Sequence, residues 1–258
     1  MKQDTLLGAG DPACFTVTRA AGSSPLVFTC DHAGNRIPRR LGSLGVSDSE
    51  LQRHIAWDIG AANLGRLLSA RLDAVLIAQT YSRLVIDVNR PPGSPESIVT
   101  LSEHTSIPGN EALTALDVQQ REREVFAPYH QRIHDELEQR QKAGRPALLV
   151  ALHSFTPSYK DVARRWQMGV LYGRDARVGK LLLAELVKDS ALVVGDNEPY
   201  SVSDETDYTV VVHGERRGIP HVELEFRQDL LASEAGCSGF CDRMAPLFQQ
   251  VVAHLFPD

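Results

Sequence analysis

The sequence is poor in several features by which function is most often read. It has four cysteines in 258 residues and no CxxC pair, so neither a disulfide scaffold nor a cysteine zinc module is encoded, and reduced thiols are expected. Basic residues are outnumbered, 27 Lys and Arg against 33 Asp and Glu, for a net charge of −6 without a basic run. Nucleic-acid affinity is mostly cationic, so no nucleic-acid partner is expected. No apolar stretch approaches the ~20 residues of a membrane helix. The opening MKQDTLLGAGDPA lacks the pattern of a signal peptide. No membrane partner is expected, and the expected location is cytoplasmic. The motifs GxGxxG, GxxxxGK[ST] and GxSxG are missing, which argues against nucleotide phosphate binding and a serine-hydrolase elbow. There is no internal repeat.

What is present reads as an α/β protein. Hydrophobic residues make up 43% and charged residues 23%, ordinary for a chain able to bury a sizeable core. Short apolar runs rich in β-branched residues occur at 26–30, 74–78, 84–88, 147–152, 169–172, 191–194, 209–212 and 222–226, and are predicted strands. Helical spacing is predicted over 47–72, 113–141, 177–188 and 230–255. Near-continuous apolar strands alternating with helices imply a buried, parallel or mixed sheet. Residues 1–24 read as an irregular lead-in, and 25–258 as one domain. The Pro-, Gly- and Ser-rich stretch 91–110 is long for a compact domain, and such loops are usually functional or mobile.

Two histidines end predicted strands, His32 in CDHAGNRIP and His153 in LVALHSF. In open α/β sheets ligands bind beyond the carboxyl ends of strands, so the two can converge on one ion or substrate. Each can equally be a hydrogen-bonded residue at a loop start. Asp58 follows Leu51 by seven positions and Ile55 by three, which on a helix places it on the apolar stripe. A carboxylate there must be paired or metal-bound. A salt bridge to an arginine satisfies that need, and so does a zinc site of two imidazoles and one carboxylate. In VELEFRQD, Glu223 and Glu225 share one strand face. Either is a general base if a metal-activated water lies near, or a solvated residue if the strand is an edge. Arg83 and Arg90, in YSRLVIDVNRP, flank a predicted strand and suit an acidic substrate, or pair with Asp87 or surface acids. His130 and His134 have i, i+4 spacing, but HExxH needs Glu where Gln131 stands, so they are expected near the solvated side of their helix. Cys237 and Cys241 read as structural thiols.

The blocks CDHAGNRIP, HIAWDIGA, YSRLVIDVNRP, LHSFTP, GDNEPYS, DYT, HGERRGIP and VELEFRQDL resemble, in order, those of the N-formylglutamate amidohydrolase family, over about residues 25–232. That family is similar in fold to zinc carboxypeptidases and to the aspartoacylase and succinylglutamate desuccinylase group. The resemblance implies a three-layer αβα domain with a central mixed sheet and one zinc ion. His32 and His153 match the zinc histidines, and Glu225 the general base. Asn89 and Arg90 match a pair that binds acidic substrate groups in the desuccinylase-like relatives, with Arg83 in the same block. Those relatives use His-x-x-Glu, whereas this chain has Asn35, a poor zinc ligand. Asp58 is then the best-placed third ligand. The expected activity is metal-dependent hydrolysis of the amide C–N bond of an N-acyl acidic amino acid such as N-formyl-L-glutamate. The alternatives are a peptidase-like hydrolase of short peptides or cell-wall fragments, and a metal-free binding protein that keeps the pocket.

Overall fold

Seven strands build one mixed sheet in the computed structural model, which describes residues 5–257. Residues 1–4 of the expected lead-in, and Asp258 of the expected domain, lie outside the described residues. The strands are β1 (Phe15–Thr18), β2 (Leu26–Cys30), β3 (Val75–Gln79), the small hairpin β4 (Leu101–Ser102) and β5 (Thr105–Ser106), β6 (Leu148–Phe155), a second hairpin β7 (Ser158–Tyr159) and β8 (Val162–Ala163), β9 (Met168–Leu171), β10 (Val194–Asp196) and β11 (His221–Arg227). The helices are α1 (Asp48–Leu51), α2 (Ala61–Leu72), α3 (Ala115–Arg121), α4 (Ala127–Lys142), α5 (Arg177–Leu186) and α6 (Glu234–Leu255). Sheet order is β1-β3-β2-β6-β11-β9-β10. The four central strands β3, β2, β6 and β11 run parallel, with β1 antiparallel on one side and β9 antiparallel to β11 on the other.

The period of two in each strand divides the core. Leu26, Phe28, Leu76, Leu148, Val150, Leu152, Val222, Leu224 and Phe226 face α2, α5 and α6. Val27, Val75, Ile77 and Leu149 face the opposite side, where Tyr129, Ile133 and Leu137 of α4 cover them. The result is the expected three-layer αβα arrangement. Burial on both faces explains why these strands read as continuous apolar runs rather than alternating ones.

Four expectations are corrected. The lead-in is not wholly irregular: Phe15–Thr18 pairs with β3 as an edge strand, and its mixed exposure gave only a weak pattern. The segment 47–72 is two helices. Between them Asp58 N–H donates to His32 C=O at 2.9 Å and Arg83 N–H to Ala56 C=O at 3.2 Å, so these backbone groups bond sideways instead of along a helix. Gly60, at φ 84°, enters α2 with its Cα against Leu231, where a Cβ would sit 2.3 Å from that side chain. The apolar run 84–88 is a series of turns, not a strand. Polar side chains satisfy its carbonyls: Asn110 donates to Leu84 C=O, Arg121 to Val85 C=O and His130 to Val88 C=O, at 2.7–2.9 Å. Finally, 209–212 lies in the π-helical turn Thr209–Gly214, whose first N–H groups at Tyr208 and Thr209 are both accepted by Asn89 Oδ1 at 3.0 Å.

Candidate active site

Parallel β2, β6 and β11 deliver their carboxyl ends to one edge of the sheet, and most of the chemistry-bearing side chains gather there. His32 lies two residues past β2, and His153 sits near the end of β6. Asp58 arrives from the turn before α2, not from a helix face, so the helical-phase argument for it fails while the residue still reaches the site. The His32 and His153 Nδ1 atoms lie 3.3 Å and 2.9 Å from the same oxygen, Asp58 Oδ2. Ligand atoms of the three residues all fall within 4.8 Å of one another, and all three side chains are buried. Asn35, the position that departs from His-x-x-Glu, is turned away and donates to Leu51 C=O at 2.9 Å.

The far nitrogens of the histidines meet carboxylates as well. His32 Nε2 is 2.7 Å from Asp87 Oδ1, and His153 Nε2 is 3.3 Å from Asp31 Oδ2. Tyr129 in turn donates its hydroxyl to Asp31 Oδ1 at 2.6 Å. The His32 ring, hydrogen-bonded in this way on its outer nitrogen, is oriented for a metal on the inner one, while the His153 ring has a carboxylate close to its outer nitrogen. Burial alone would lower both imidazole pKa values, but the surrounding carboxylates reverse this: His32 is raised and His153 is raised well above its usual range. Desolvation works to raise Asp58, yet the His32 charge and the His153 hydrogen bond hold it far below the ordinary carboxylate range.

Glu223 and Glu225 point into the same space from β11, which lies between β6 and β9 rather than at an edge. Both are buried, so the solvated-edge alternative fails. Glu225 stands beside His153 in the β11–β6 register. Burial pushes Glu225 up to about 7 against the pull of His153, and pushes Glu223 well above the carboxylate range. Asp31 Oδ2, His153 Nε2, Glu223 Oε2 and Glu225 Oε2 are buried without a hydrogen-bond partner. Five carboxylates thus surround two imidazoles and Arg83. Two histidines and a carboxylate whose ligand atoms converge, with unsatisfied buried polar atoms around them, fit a zinc ion.

A cavity of about 750 Å³ opens over this cluster. Arg83 lines it with its charge engaged, 2.6 Å from Asp87 and 3.7 Å from Asp58. Arg90 lines it too, 3.1 Å from Glu96 and bonded to Thr206 C=O. The Asn89 amide oxygen is spent on the 208–209 backbone, and its nitrogen faces Asp207 at 3.5 Å. The 91–110 stretch contributes Glu96 and the β4–β5 hairpin to the rim, while Phe155, Tyr159 and Tyr200 form an aromatic side.

Comparison with known proteins gives the family and the fold. The family model for N-formylglutamate amidohydrolase matches residues 24–232. The chain belongs to the N-formylglutamate amidohydrolase family. A crystal structure of a gene product from Agrobacterium tumefaciens superposes with a TM-score of 0.93 at 34% identity, over 97% of this chain and 99% of that one. The N-formylglutamate amidohydrolase of Ralstonia eutropha shares the fold, with a TM-score of 0.68 at 20% identity over 94% and 98% of the two chains. No curated protein sequence matches the chain.

Within this family member, some residues at the site escaped sequence reasoning. Asp31 stood next to His32 without a signal of its own, and Asp87 read only as an arginine partner. His130 corrects an expectation: it is buried, not solvated, with Nε2 donating to Val88 C=O at 2.7 Å and Nδ1 3.1 Å from His213 Nε2. His134 is exposed. Cys14, Cys30, Cys237 and Cys241 are all free and buried. No described helix is long and apolar enough to cross a membrane.

Proposed function

We propose that the protein is a zinc-dependent amidohydrolase that cleaves the amide C–N bond of an N-acyl acidic amino acid such as N-formyl-L-glutamate. The observation that carries this reading is the shared oxygen: two imidazole nitrogens meet Asp58 Oδ2 while their outer nitrogens rest on Asp87 and Asp31. His32, Asp58 and His153 would hold the metal. A bound zinc ion supplies a Lewis acid for the acyl oxygen and acidifies a water to a pKa of about 7.

The chain's own groups do the rest. Glu225 takes a proton from the attacking water and returns it to the leaving nitrogen, a role suited to a carboxylate whose pKa lies near 7. Asp87 and Asp31 fix the two imidazole rings. Arg83, Asn89 and Arg90 form the substrate-facing wall. The cleft of about 750 Å³ has room for a small acyl-amino acid, with residues of the β4–β5 and β7–β8 hairpins among its lining.

The deciding experiment is a panel of formyl-, acetyl- and succinyl-amino acids and short peptides, assayed with metal-replete protein and again after chelation. Hydrolysis of N-formylglutamate, lost on chelation and restored by zinc, is expected. Preference for peptides, or turnover indifferent to chelation, overturns the proposal.

A further inference from the structure

Binding an acidic acyl-amino acid requires a cation that is still available, and the two arginines nearest the cluster are engaged. Arg83 is matched by Asp87 and Asp58, and Arg90 by Glu96. A third arginine, packed behind rings that line the cavity, differs from both. Arg164 follows the β7–β8 hairpin, anchored by its N–H donating to Pro157 C=O at 2.8 Å. Its guanidinium carbon lies 4.7 Å from the ring centre of Tyr200, 5.1 Å from Tyr159 and 5.7 Å from Phe155. All three rings line the cavity. Among the described residues no carboxylate lies within 4.0 Å of Arg164, although all the pairs of Arg83 and Arg90 fall inside that limit. Its Nη1 is buried and has no hydrogen-bond partner.

A guanidinium carries five donors in a rigid fork and no acceptor. Three aromatic faces steady such a group through cation–π attraction, and the Tyr200 hydroxyl interacts with it, but none of them offers the paired acceptors of a carboxylate. Arg164 is half-buried, and leaving its shielded Nη1 without an acceptor is costly, a cost that a bound anion would relieve. Tyr200 ties this arginine to the cluster: burial and the Glu225 charge push its hydroxyl pKa up, while Arg164 and Arg83 pull against them. Tyr200 therefore lies within electrostatic reach of both Glu225 and Arg164.

We propose that Arg164, clamped by Phe155, Tyr159 and Tyr200, is the residue that binds a carboxylate of the substrate and so sets the preference for acidic acyl-amino acids. This rests on the amidohydrolase reading above and adds the specificity determinant to it. Arg83 and Arg90 then act on the cleft itself, Arg83 by holding Asp58 and Asp87 and Arg90 by tying Asn89 and Thr206 together.

The test is calorimetric titration of zinc-loaded protein with glutarate, a dicarboxylate without an amide to cleave, and with its uncharged diamide. Wild type is compared with R164Q, R164K and R243Q. The last alters an arginine that pairs with Asp189 away from the cavity. Wild type and R243Q should bind glutarate in preference to the diamide. R164Q should lose that preference, with glutarate affinity down about ten- to a hundredfold. R164K should fall between, because lysine keeps the charge without the planar fork, and it carries the test if R164Q does not fold. Equal glutarate affinity in wild type and the Arg164 variants, or no glutarate binding by wild type, overturns the proposal. Parallel assays with N-formylglutamate keep the two readings apart. Arg164-dependent glutarate binding without turnover sinks the amidohydrolase reading alone. Turnover with a KM unmoved in R164Q and R164K sinks the anchor alone.

Discussion

Tyr129 and Asp31 share a 2.6 Å hydrogen bond from phenol to carboxylate, with both side chains buried. Asp31 has its other oxygen 3.3 Å from His153 Nε2, so the phenol on α4 steadies a carboxylate that lies against an imidazole of the site. Tyr129→Phe removes one hydroxyl and leaves the ring. Zinc affinity, measured by competition with a chelator, should fall about 10- to 100-fold. Unfolding free energy should drop by about 1–3 kcal/mol. Unchanged zinc affinity with reduced stability would make Tyr129 a packing residue only.

His32→Ala, His153→Ala and Asp58→Ala should each reduce bound zinc from about one ion per chain to near none at micromolar free metal. Metal analysis after dialysis reads this directly. A variant that retains the ion at wild-type affinity identifies a residue outside the ligand set.

Glu225→Gln keeps the shape of the side chain and loses its ability to accept a proton. The expected result is a kcat lower by ~10²–10⁴-fold with metal content unchanged. Glu223→Gln is the informative comparison, because Glu223 shares the strand face and its Oε2 lies 4.0 Å from His153 Nε2. If Glu223→Gln shows the larger kcat loss, the proton passes through Glu223 instead.

The buried His130–His213 pair gives a pH signature in stability. Desolvation holds His130 near a pKa of about 4 and His213 near about 3, against 6.5 for an ordinary histidine. Both are neutral in the fold, so what they contribute is fully present above pH 6.5 and is lost as pH falls toward 4 and below. For His130 the full loss is on the order of 3 kcal/mol. Melting temperature should therefore decline from pH 6.5 to 4 more steeply in wild type than in the H130Q/H213Q double variant. Parallel slopes would remove the pair from the acid sensitivity.

Legibility of this site depended on which part of the argument was local. His32 and His153 were readable because each directly follows or ends an apolar run, and parallel strands bring such ends together. Glu225 was readable as one of two candidates on the period of two, but that period cannot tell an interior strand from an edge. Asp58 was singled out on a helical phase that does not exist; its burial was anticipated correctly, its route was not. The runs 84–88 and 209–212 misled for one reason. Their backbone groups are satisfied by Asn110, Arg121, His130 and Asn89, side chains distant in sequence whose service to those carbonyls and amides has no local signature. Arg164 was invisible for a similar reason, since its setting combines the end of β6, a hairpin and the 200 region.

The pairing of Glu225 with His153 across adjacent parallel strands has a consequence for how such an enzyme can diversify. Their separation is an interstrand spacing, fixed by ladder hydrogen bonds running the length of β6 and β11. A one-residue slip would turn Val222, Leu224 and Phe226 out of the core. The geometry of this pair is thus as rigid as the sheet and cannot drift gradually. The hairpins at 101–106 and 158–163 carry no such constraint: their strands are two residues long and pair only with each other. Exchange of those two rims between homologues should transfer substrate choice while the reacting atoms keep their positions.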